Sequence, residues 1–260
     1  NEGKINTKLD EKFGKLSLIN RTLQSCYLGN LETENLFENL INYNSSENSR
    51  YLFFYANYLI GQNNYLKAKN IFKDVNILNS TLLIAQSKIW AEEENFDQFN
   101  NFFSCKNSND IISEFLFIIS NLYSTEGEIE KSNFYFNLSN YLNPKFKFNL
   151  ALMADNFFEK EDYNKVKKIL KNFDKKNKVY YWYAIKKNAQ IINKQEDKEK
   201  SFNYIIEKYN KIEMPSLKTI YEMANIVKGF KKYDLSIKYY SKVLSQIDSS
   251  SVTYANILYR

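Results

Sequence analysis

The chain has 260 residues, a net charge of +6 and 17% aromatic residues, but only six glycines and two prolines. So few glycines and prolines argue against an all-β fold with many tight turns and favour long helices. The sequence contains no histidine, so the side chain most often used for proton transfer near neutral pH is missing.

The charge is unevenly distributed along the chain. Residues 1–158 carry 14 Lys and Arg against 18 Asp and Glu, a net charge of −4, whereas residues 159–260 carry 22 against 12, a net charge of +10. A basic half can attract acidic peptides, anionic lipid surfaces or nucleic acid. The default interpretation is a solvated, lysine-rich helix surface, because runs of charge usually serve solubility.

The chain begins with a polar segment, residues 1–15, which we expect to be disordered or to form a short capping helix. Leu16–Leu28 and Leu31–Ile41 then predict a first helical hairpin with its turn at Gly29-Asn30. Residues 43–49 form a polar linker whose serines can cap the next helix.

Six further hairpins are predicted after the linker. The residues that open the second helix of each hairpin recur every 31 to 35 positions: Leu31, Tyr65, Phe96, Ile129, Tyr163, Lys198 and Tyr233. The predicted hairpins span residues 49–79, 80–112, 113–146, 147–178, 182–215 and 217–250. The charged turn Lys194–Lys200 is expected to be longer than its neighbours. Residues 251–260 begin another helix, so we expect the chain to be a piece of a longer protein.

Aligning the hairpins at a period of 34 reveals columns of like residues. Column 8 is always small: Ala56, Ser87, Ser120, Ala154, Ala189 and Ala224. Column 20 holds a matching small residue in four hairpins: Ala68, Ser132, Ser201 and Ser236. Columns 4, 11 and 24 carry larger apolar residues. Since columns 4, 8 and 11 share one helix face, the small residues are expected to let the two helices of a hairpin approach closely.

In these columns residues 15–250 resemble the tetratricopeptide repeat family, with Pro144 at its family position, column 32. The repeats are degenerate, because column 4 is never Trp and most hairpins lack the proline. The resemblance implies an all-α fold, a right-handed α-solenoid of about seven tandem helix-turn-helix hairpins over residues 16–250.

The resemblance also implies a function, the binding of a peptide or protein subunit by a non-enzymatic scaffold. In the family, columns 5 and 9 of the first helix point into the concave face. The candidate peptide-binding residues are therefore Phe53, Asn57, Lys88, Phe117, Asn121, Asp155, Lys186, Gln190, Tyr221 and Asn225. The carboxylate clamp of the chaperone-binding members is not supported, because column 5 is mostly apolar. An equally weighted interpretation makes the column 9 amides ordinary surface residues of an asparagine-rich chain.

No residue pattern predicts catalysis, a metal or a cofactor. The sequence lacks a nucleophile elbow and a glycine-rich phosphate loop. The acidic run Glu92–Glu94 is expected to be a solvated helix end. Cys26 and Cys105 form no CxxC motif and are expected to be small core residues. Trp90 is expected in the core, whereas the cluster Tyr180–Tyr183 cannot be wholly buried on one helix.

Two alternatives stay open. One is RNA binding, which the basic half favours and which Val252–Asn256 suggests by resembling the opening of the pentatricopeptide repeat. The small column 8, Pro144 at column 32 and the variable period make nucleic acid the less favoured partner. The chain could instead be the recruiting arm of an enzyme whose catalytic domain follows residue 260. No small-molecule substrate is inferred, and no run of residues is long and apolar enough for a membrane span. General similarity to exported bacterial tetratricopeptide-repeat proteins favours export.

Overall fold

The computed structural model describes residues 15–42 and 49–259, and these residues form fifteen α-helices and no β-strand. The expectations for residues 1–14 and for the linker 43–48 lie outside the described part. The helices are α1 (Lys15–Leu28), α2 (Thr33–Asn42), α3 (Tyr51–Gly61), α4 (Tyr65–Asn70), α5 (Leu82–Glu92), α6 (Asp97–Phe102), α7 (Ser108–Thr125), α8 (Ile129–Leu142), α9 (Leu150–Glu159), α10 (Tyr163–Leu170), α11 (Lys178–Gln195), α12 (Lys198–Asn210), α13 (Leu217–Gly229), α14 (Tyr233–Leu244) and α15 (Val252–Leu258). A short 3-10 helix, Lys147–Asn149, precedes α9. The all-α prediction is confirmed.

The chain divides into two compact units. The first unit contains Asn1–Val75 and Ser87–Asn172, and the second contains Asn76–Gln86 and Phe173–Arg260. Within the first unit α1 packs against α2, α3 against α4, α7 against α8 and α9 against α10. Within the second unit α11 packs against α12 and α13 against α14. Helix α6 departs from the pattern, because it packs closely against α3.

The predicted small columns do meet inside the hairpins. Ser201 Oγ donates to the carbonyl of Ala189 at 2.7 Å, and Ser236 Oγ donates to that of Ala224 at 3.0 Å. In the α7–α8 hairpin the direction reverses, and Ser120 Oγ donates to the Ser132 carbonyl at 2.8 Å. Each bond joins column 8 to column 20, twelve residues apart. Two helix backbones come this close only where neither carries a large side chain.

A left-handed residue ends the first helix of six hairpins, and this was not predicted. All residues with positive φ among those described lie two positions before the predicted start of the second helix: Gly29, Asn63, Glu94, Gly127, Glu161 and Lys231. The next amide then bonds to the carbonyl five residues back, as in the bond from Glu128 to Tyr123 at 2.9 Å. This bond closes a helix C-terminus in the Schellman manner.

The turn between α11 and α12 is shorter than most of the other hairpin turns, whereas the sequence predicted a longer one. Helix α11 continues to Gln195 and α12 begins at Lys198, so only two residues separate them, against three in most other hairpins. The prediction of a longer turn at Lys194–Lys200 is therefore wrong. Asp197 makes the short turn possible, because its side chain accepts a hydrogen bond from the backbone amide of Lys200 at 2.7 Å and caps α12.

The two cysteines are bonded to each other. Cys26, near the end of α1, and Cys105, after α6, form a disulfide with 5.8 Å between their Cα atoms. Both residues are buried, so their expected core position is confirmed, but the interpretation that left them unpaired is wrong. Seventy-nine positions separate them, so no local motif in the sequence reveals the pair. Lys106 reinforces the junction by donating to the Cys26 carbonyl at 2.8 Å.

Candidate functional site

A cavity of about 250 Å³ lies among α11, α12 and α13 of the second unit. We call it the α11–α13 cavity. Its lining residues are Lys186, Ala189, Gln190, Asn193, Lys198, Ser201, Ile205, Ile226 and Phe230. Two of them, Lys186 and Gln190, are residues that the sequence predicted for a peptide-binding face. The structure therefore brings part of the predicted site together in one concave feature.

The helical register explains why these side chains share a wall. The four lining residues of α11 are spaced by three, one and three positions, so they fall on one face of the helix. Ala189 and Ser201 both line the cavity and are joined by the 2.7 Å hydrogen bond from Ser201 Oγ to the Ala189 carbonyl. Larger side chains at these two positions would fill the space, so the cavity depends on the small columns of the hairpin.

The cavity combines an apolar floor with a polar rim. Ala189, Ile205, Ile226 and Phe230 supply apolar surface. Gln190 and Asn193 are exposed and present amide groups, which can both donate and accept hydrogen bonds. No Asp or Glu is among the lining residues. Such a surface suits a chain whose backbone bonds to amides while its side chains bury apolar area.

Two lysines flank the cavity and are held in place by different contacts. Lys186 Nζ lies 2.6 Å from the Glu222 carboxylate, and both side chains are partly buried. Lys198 Nζ lies 5.2 Å from the ring centroid of Phe230, within the range of a cation–π contact. Lys186 is thus held by a carboxylate and Lys198 by an aromatic ring.

A buried lysine on α13, Lys218, was not found from the sequence. Lys218 on α13 donates to the backbone carbonyls of Leu78 at 2.9 Å and Ser80 at 3.0 Å, and it lies 3.7 Å from Glu222. Burial lowers the pKa of this ammonium group, an effect that the nearby Glu222 carboxylate opposes. Lys218 thus fixes the segment Ile77–Ser80 within the second unit. Nothing in its sequence neighbourhood distinguishes it from the surface lysines.

Tyr221 and Asn225 lie on α13 but do not line the cavity. Asn225 donates to the Tyr221 carbonyl at 3.1 Å and accepts a hydrogen bond from the Tyr240 hydroxyl at 2.7 Å. Both side chains are half-buried. These contacts orient the predicted residues between α13 and α14.

In the first unit the predicted residues of α3 belong to the core. Phe53 is fully buried and stacks on Phe99 with 5.6 Å between ring centroids. The buried Asn57 side chain donates to the carbonyls of Phe99 at 3.1 Å and Phe103 at 2.9 Å. The packing of α6 against α3 accounts for this burial, so in this hairpin columns 5 and 9 support structure.

Lys88 and Phe117 are likewise engaged inside the first unit. Lys88 Nζ donates to three backbone carbonyls, those of Phe72, Lys73 and Val75, at 2.9 to 3.1 Å. Phe117 is buried beneath the Arg50 guanidinium, whose central carbon lies 4.2 Å from the ring centroid. Both side chains are therefore largely withdrawn from solvent, Lys88 at 14% and Phe117 at 9% exposure.

Asn121 and Asp155 are the remaining predicted residues. Asn121 is exposed on α7, and Asp155 is half-buried on α9. Both lie in the first unit. Of the ten predicted residues, Lys186 and Gln190 both line the α11–α13 cavity.

The aromatic cluster on α11 divides as helical geometry requires. Tyr180, Trp182 and Tyr183 are buried, whereas Tyr181 is half-exposed. Trp90 is buried against Phe99 and Phe148, so its expected core position is confirmed. Tyr181 is thus the member of the cluster that remains accessible.

Comparison with protein-family models, curated proteins and solved structures finds no match to this chain. Within the described residues, no helix is both long and apolar enough to cross a membrane. The same part of the chain holds no group of three His, Cys, Asp or Glu side chains placed to bind a metal ion.

Proposed function

We propose that the chain is a non-enzymatic helical-repeat protein of the tetratricopeptide type, and that the α11–α13 cavity binds a peptide or a segment of a partner protein. The observation that carries this proposal is the cavity itself. It unites Lys186 and Gln190 with an apolar floor and the Asn193 amide. The finer fold, a right-handed solenoid of tandem hairpins, is part of the same proposal.

Two regularities support the repeat assignment. Column 8 meets column 20 through a serine hydrogen bond in three hairpins. A residue with positive φ recurs at the same column in six hairpins. A repeated unit with one internal geometry is what stacked helix-turn-helix repeats require, because each unit must bury its apolar face against a neighbour of like shape.

The disulfide indicates the kind of cellular compartment in which this function would take place. Structural disulfides persist in oxidising compartments and are rare where thiols are kept reduced. We therefore infer that the chain works outside the reducing cytosol, in keeping with the export expected from its general similarity to exported repeat proteins.

Selection of peptides from a displayed twelve-residue random library tests the proposal. The unmodified protein and an Asn193→Trp variant would be panned in parallel, because an indole at this exposed rim position fills the cavity. The matched control is Asn203→Trp, the same change at an exposed position of α12 outside the cavity. We expect peptide families that enrich on the unmodified protein and on Asn203→Trp but not on Asn193→Trp. Enrichment of the same families on all three proteins would refute the site.

A further inference from the structure

A second cavity of about 250 Å³ in the second unit has a different character. It lies where α11 begins, α12 ends and α13 begins, and we call it the lysine cavity. Its lining residues are Lys175, Lys178, Tyr181, Lys211, Ile212, Glu213, Met214, Pro215, Ser216 and Thr219. None of them lines the α11–α13 cavity. It is therefore a separate feature of the same unit.

The electrostatics of the lysine cavity favour an anion. Three lysines and one carboxylate, that of Glu213, line the cavity, and the Lys211 ammonium also lies 2.5 Å from the Glu207 carboxylate. Lys178 is the first residue of α11, and Ser216 is the N-cap of α13, so two helix N-termini adjoin the cavity. The backbone amides at a helix N-terminus carry partial positive charge, which adds to that of the lysines. The three lysines come from two helix ends and a loop, so the fold brings them together.

The remaining walls limit what kind of anion fits. Ile212, Met214 and Pro215 form an apolar side, and Met214 is 73% exposed. The half-exposed Tyr181 adds an aromatic surface with a hydroxyl group. The space is enough for one side chain and its charged end. Single-stranded nucleic acid needs an extended basic groove with several stacking aromatics, whereas Tyr181 is the one aromatic side chain among the lining residues.

We propose that the lysine cavity binds the anionic side chain of an acidic peptide, with its carboxylate or phosphate group against Lys175, Lys178 and Lys211 and its stem against Met214. This proposal rests on the proposed function, since it assigns the chemistry of the peptide partner. The second unit carries 17 Lys and Arg against 9 Asp and Glu, a net charge of +8. Such a surplus draws an acidic partner towards this unit before contact.

Methyl NMR of the methionines gives a local test. The chain has three methionines, and Met214 is the one that lines the cavity, whereas Met223 is buried and Met153 lies in the first unit. The protein labelled with ¹³C-methyl methionine would be titrated with a ten-residue peptide in which Glu alternates with Ser, and with the same peptide carrying Gln in place of Glu. We expect the Met214 signal to move with the Glu peptide and not with the Gln peptide.

Two double variants test whether the shift of the Met214 signal arises from binding in the lysine cavity. Lys175→Gln with Lys211→Gln removes two of its charges. Lys194→Gln with Lys238→Gln removes the same number from exposed positions of the second unit outside either cavity. We expect the first pair to weaken Glu-peptide binding about fivefold to tenfold, in line with the modest strength of partly exposed charge contacts, and the second to change it less than twofold. Equal loss in both pairs would overturn the proposal.

Two further probes separate this proposal from the proposed function. Inorganic phosphate alone reports on the anion site without any peptide. A Met214 shift with phosphate but not with the Glu peptide would overturn the peptide assignment, and no shift with either would overturn the site. A ten-nucleotide single-stranded RNA that moves Met214 at lower concentration than the Glu peptide would assign the cavity to nucleic acid instead. Binding at the α11–α13 cavity is judged independently, by the Asn193→Trp variant.

Discussion

Arg50 and Glu114 form a bidentate ion pair across 64 positions of sequence. Arg50 Nε and one terminal nitrogen each donate to a different carboxylate oxygen at 2.7 Å. The same terminal nitrogen also donates to the Asn149 side chain at 2.9 Å. The guanidinium lies within 4.2 to 5.6 Å of the ring centroids of Phe54, Phe117 and Phe146. This pair therefore ties the start of α3 to α7 and to the 3-10 helix before α9.

Loss of this ion pair should strongly destabilise the first unit. Glu114 is only 3% exposed, so Glu114→Ala leaves the guanidinium without its carboxylate among three aromatic rings. Breaking a buried pair from one side typically costs about 3–5 kcal/mol, and we expect a loss of that order in the free energy of unfolding by urea. Glu130→Ala, which removes the exposed partner of Lys160, is the control and should change stability little. Equal stability of the two variants would contradict the structure.

Reduction of the Cys26–Cys105 disulfide should lower stability substantially. The bond closes a loop of 79 positions, and a loop of that size is worth about 4 kcal/mol through restriction of the unfolded chain. We expect the urea midpoint to fall when a reductant is added, and the Cys26→Ser/Cys105→Ser variant to be as labile as the reduced protein and insensitive to reductant. Alkylation of two thiols in the unreduced, denatured protein would show that the bond is absent.

The left-handed turn column predicts opposite effects for two substitutions. Gly127 has φ +77° and no atom within 4 Å of the position that a Cβ would occupy, so Gly127→Ala is opposed by backbone conformation alone. A non-glycine residue in this region costs about 1–2 kcal/mol, and we expect a loss of about 1 kcal/mol. Lys231 has φ +60°, so Lys231→Gly should raise stability, by less than about 1 kcal/mol because glycine also frees the unfolded chain. Thermal and urea unfolding of both variants measure this. Destabilisation by Lys231→Gly would contradict the assigned turn.

Lys218 should make stability rise with pH on the alkaline side. Burial lowers its pKa from the ordinary value of 10.5. The unfolded chain then binds more protons than the folded one between the two pKa values, so this group's destabilising contribution shrinks as pH rises through that window. We expect the difference in unfolding free energy between the unmodified protein and Lys218→Met to grow as pH rises towards the ordinary lysine pKa of 10.5. Lys218→Met also loses the bonds to Leu78 and Ser80, so it should be the less stable protein throughout. A difference that stays constant with pH would contradict the lowered pKa.

The sequence predicted the parts of the fold that repetition encodes. Small residues such as Ser120 and Ser132 recur at fixed columns, and a turn residue such as Pro144 follows a helix end, so hairpins and their internal contacts could be inferred. The left-handed column was missed because it holds Asn, Glu and Lys as well as Gly, and only glycine signals such a turn in a sequence.

Long-range contacts between polar residues were beyond prediction for a different reason. Arg50, Glu114 and Lys218 look like the many other charged residues of this chain, and their partners are 64 to 141 positions away. For the same reason, the candidate site could be predicted only in part. Columns 5 and 9 identify Lys186 and Gln190, but the packing of α6 against α3 turns the equivalent Phe53 and Asn57 into core residues.

The affinity ratio between two tryptophan variants tests the central claim most directly. A peptide selected on the unmodified protein would be titrated calorimetrically into that protein, into Asn193→Trp and into Asn203→Trp. If the α11–α13 cavity is the binding site, the dissociation constant should be at least about tenfold higher for Asn193→Trp, a cost of about 1.4 kcal/mol. The dissociation constant for Asn203→Trp should not change. Equal affinity of all three proteins for the peptide would contradict it.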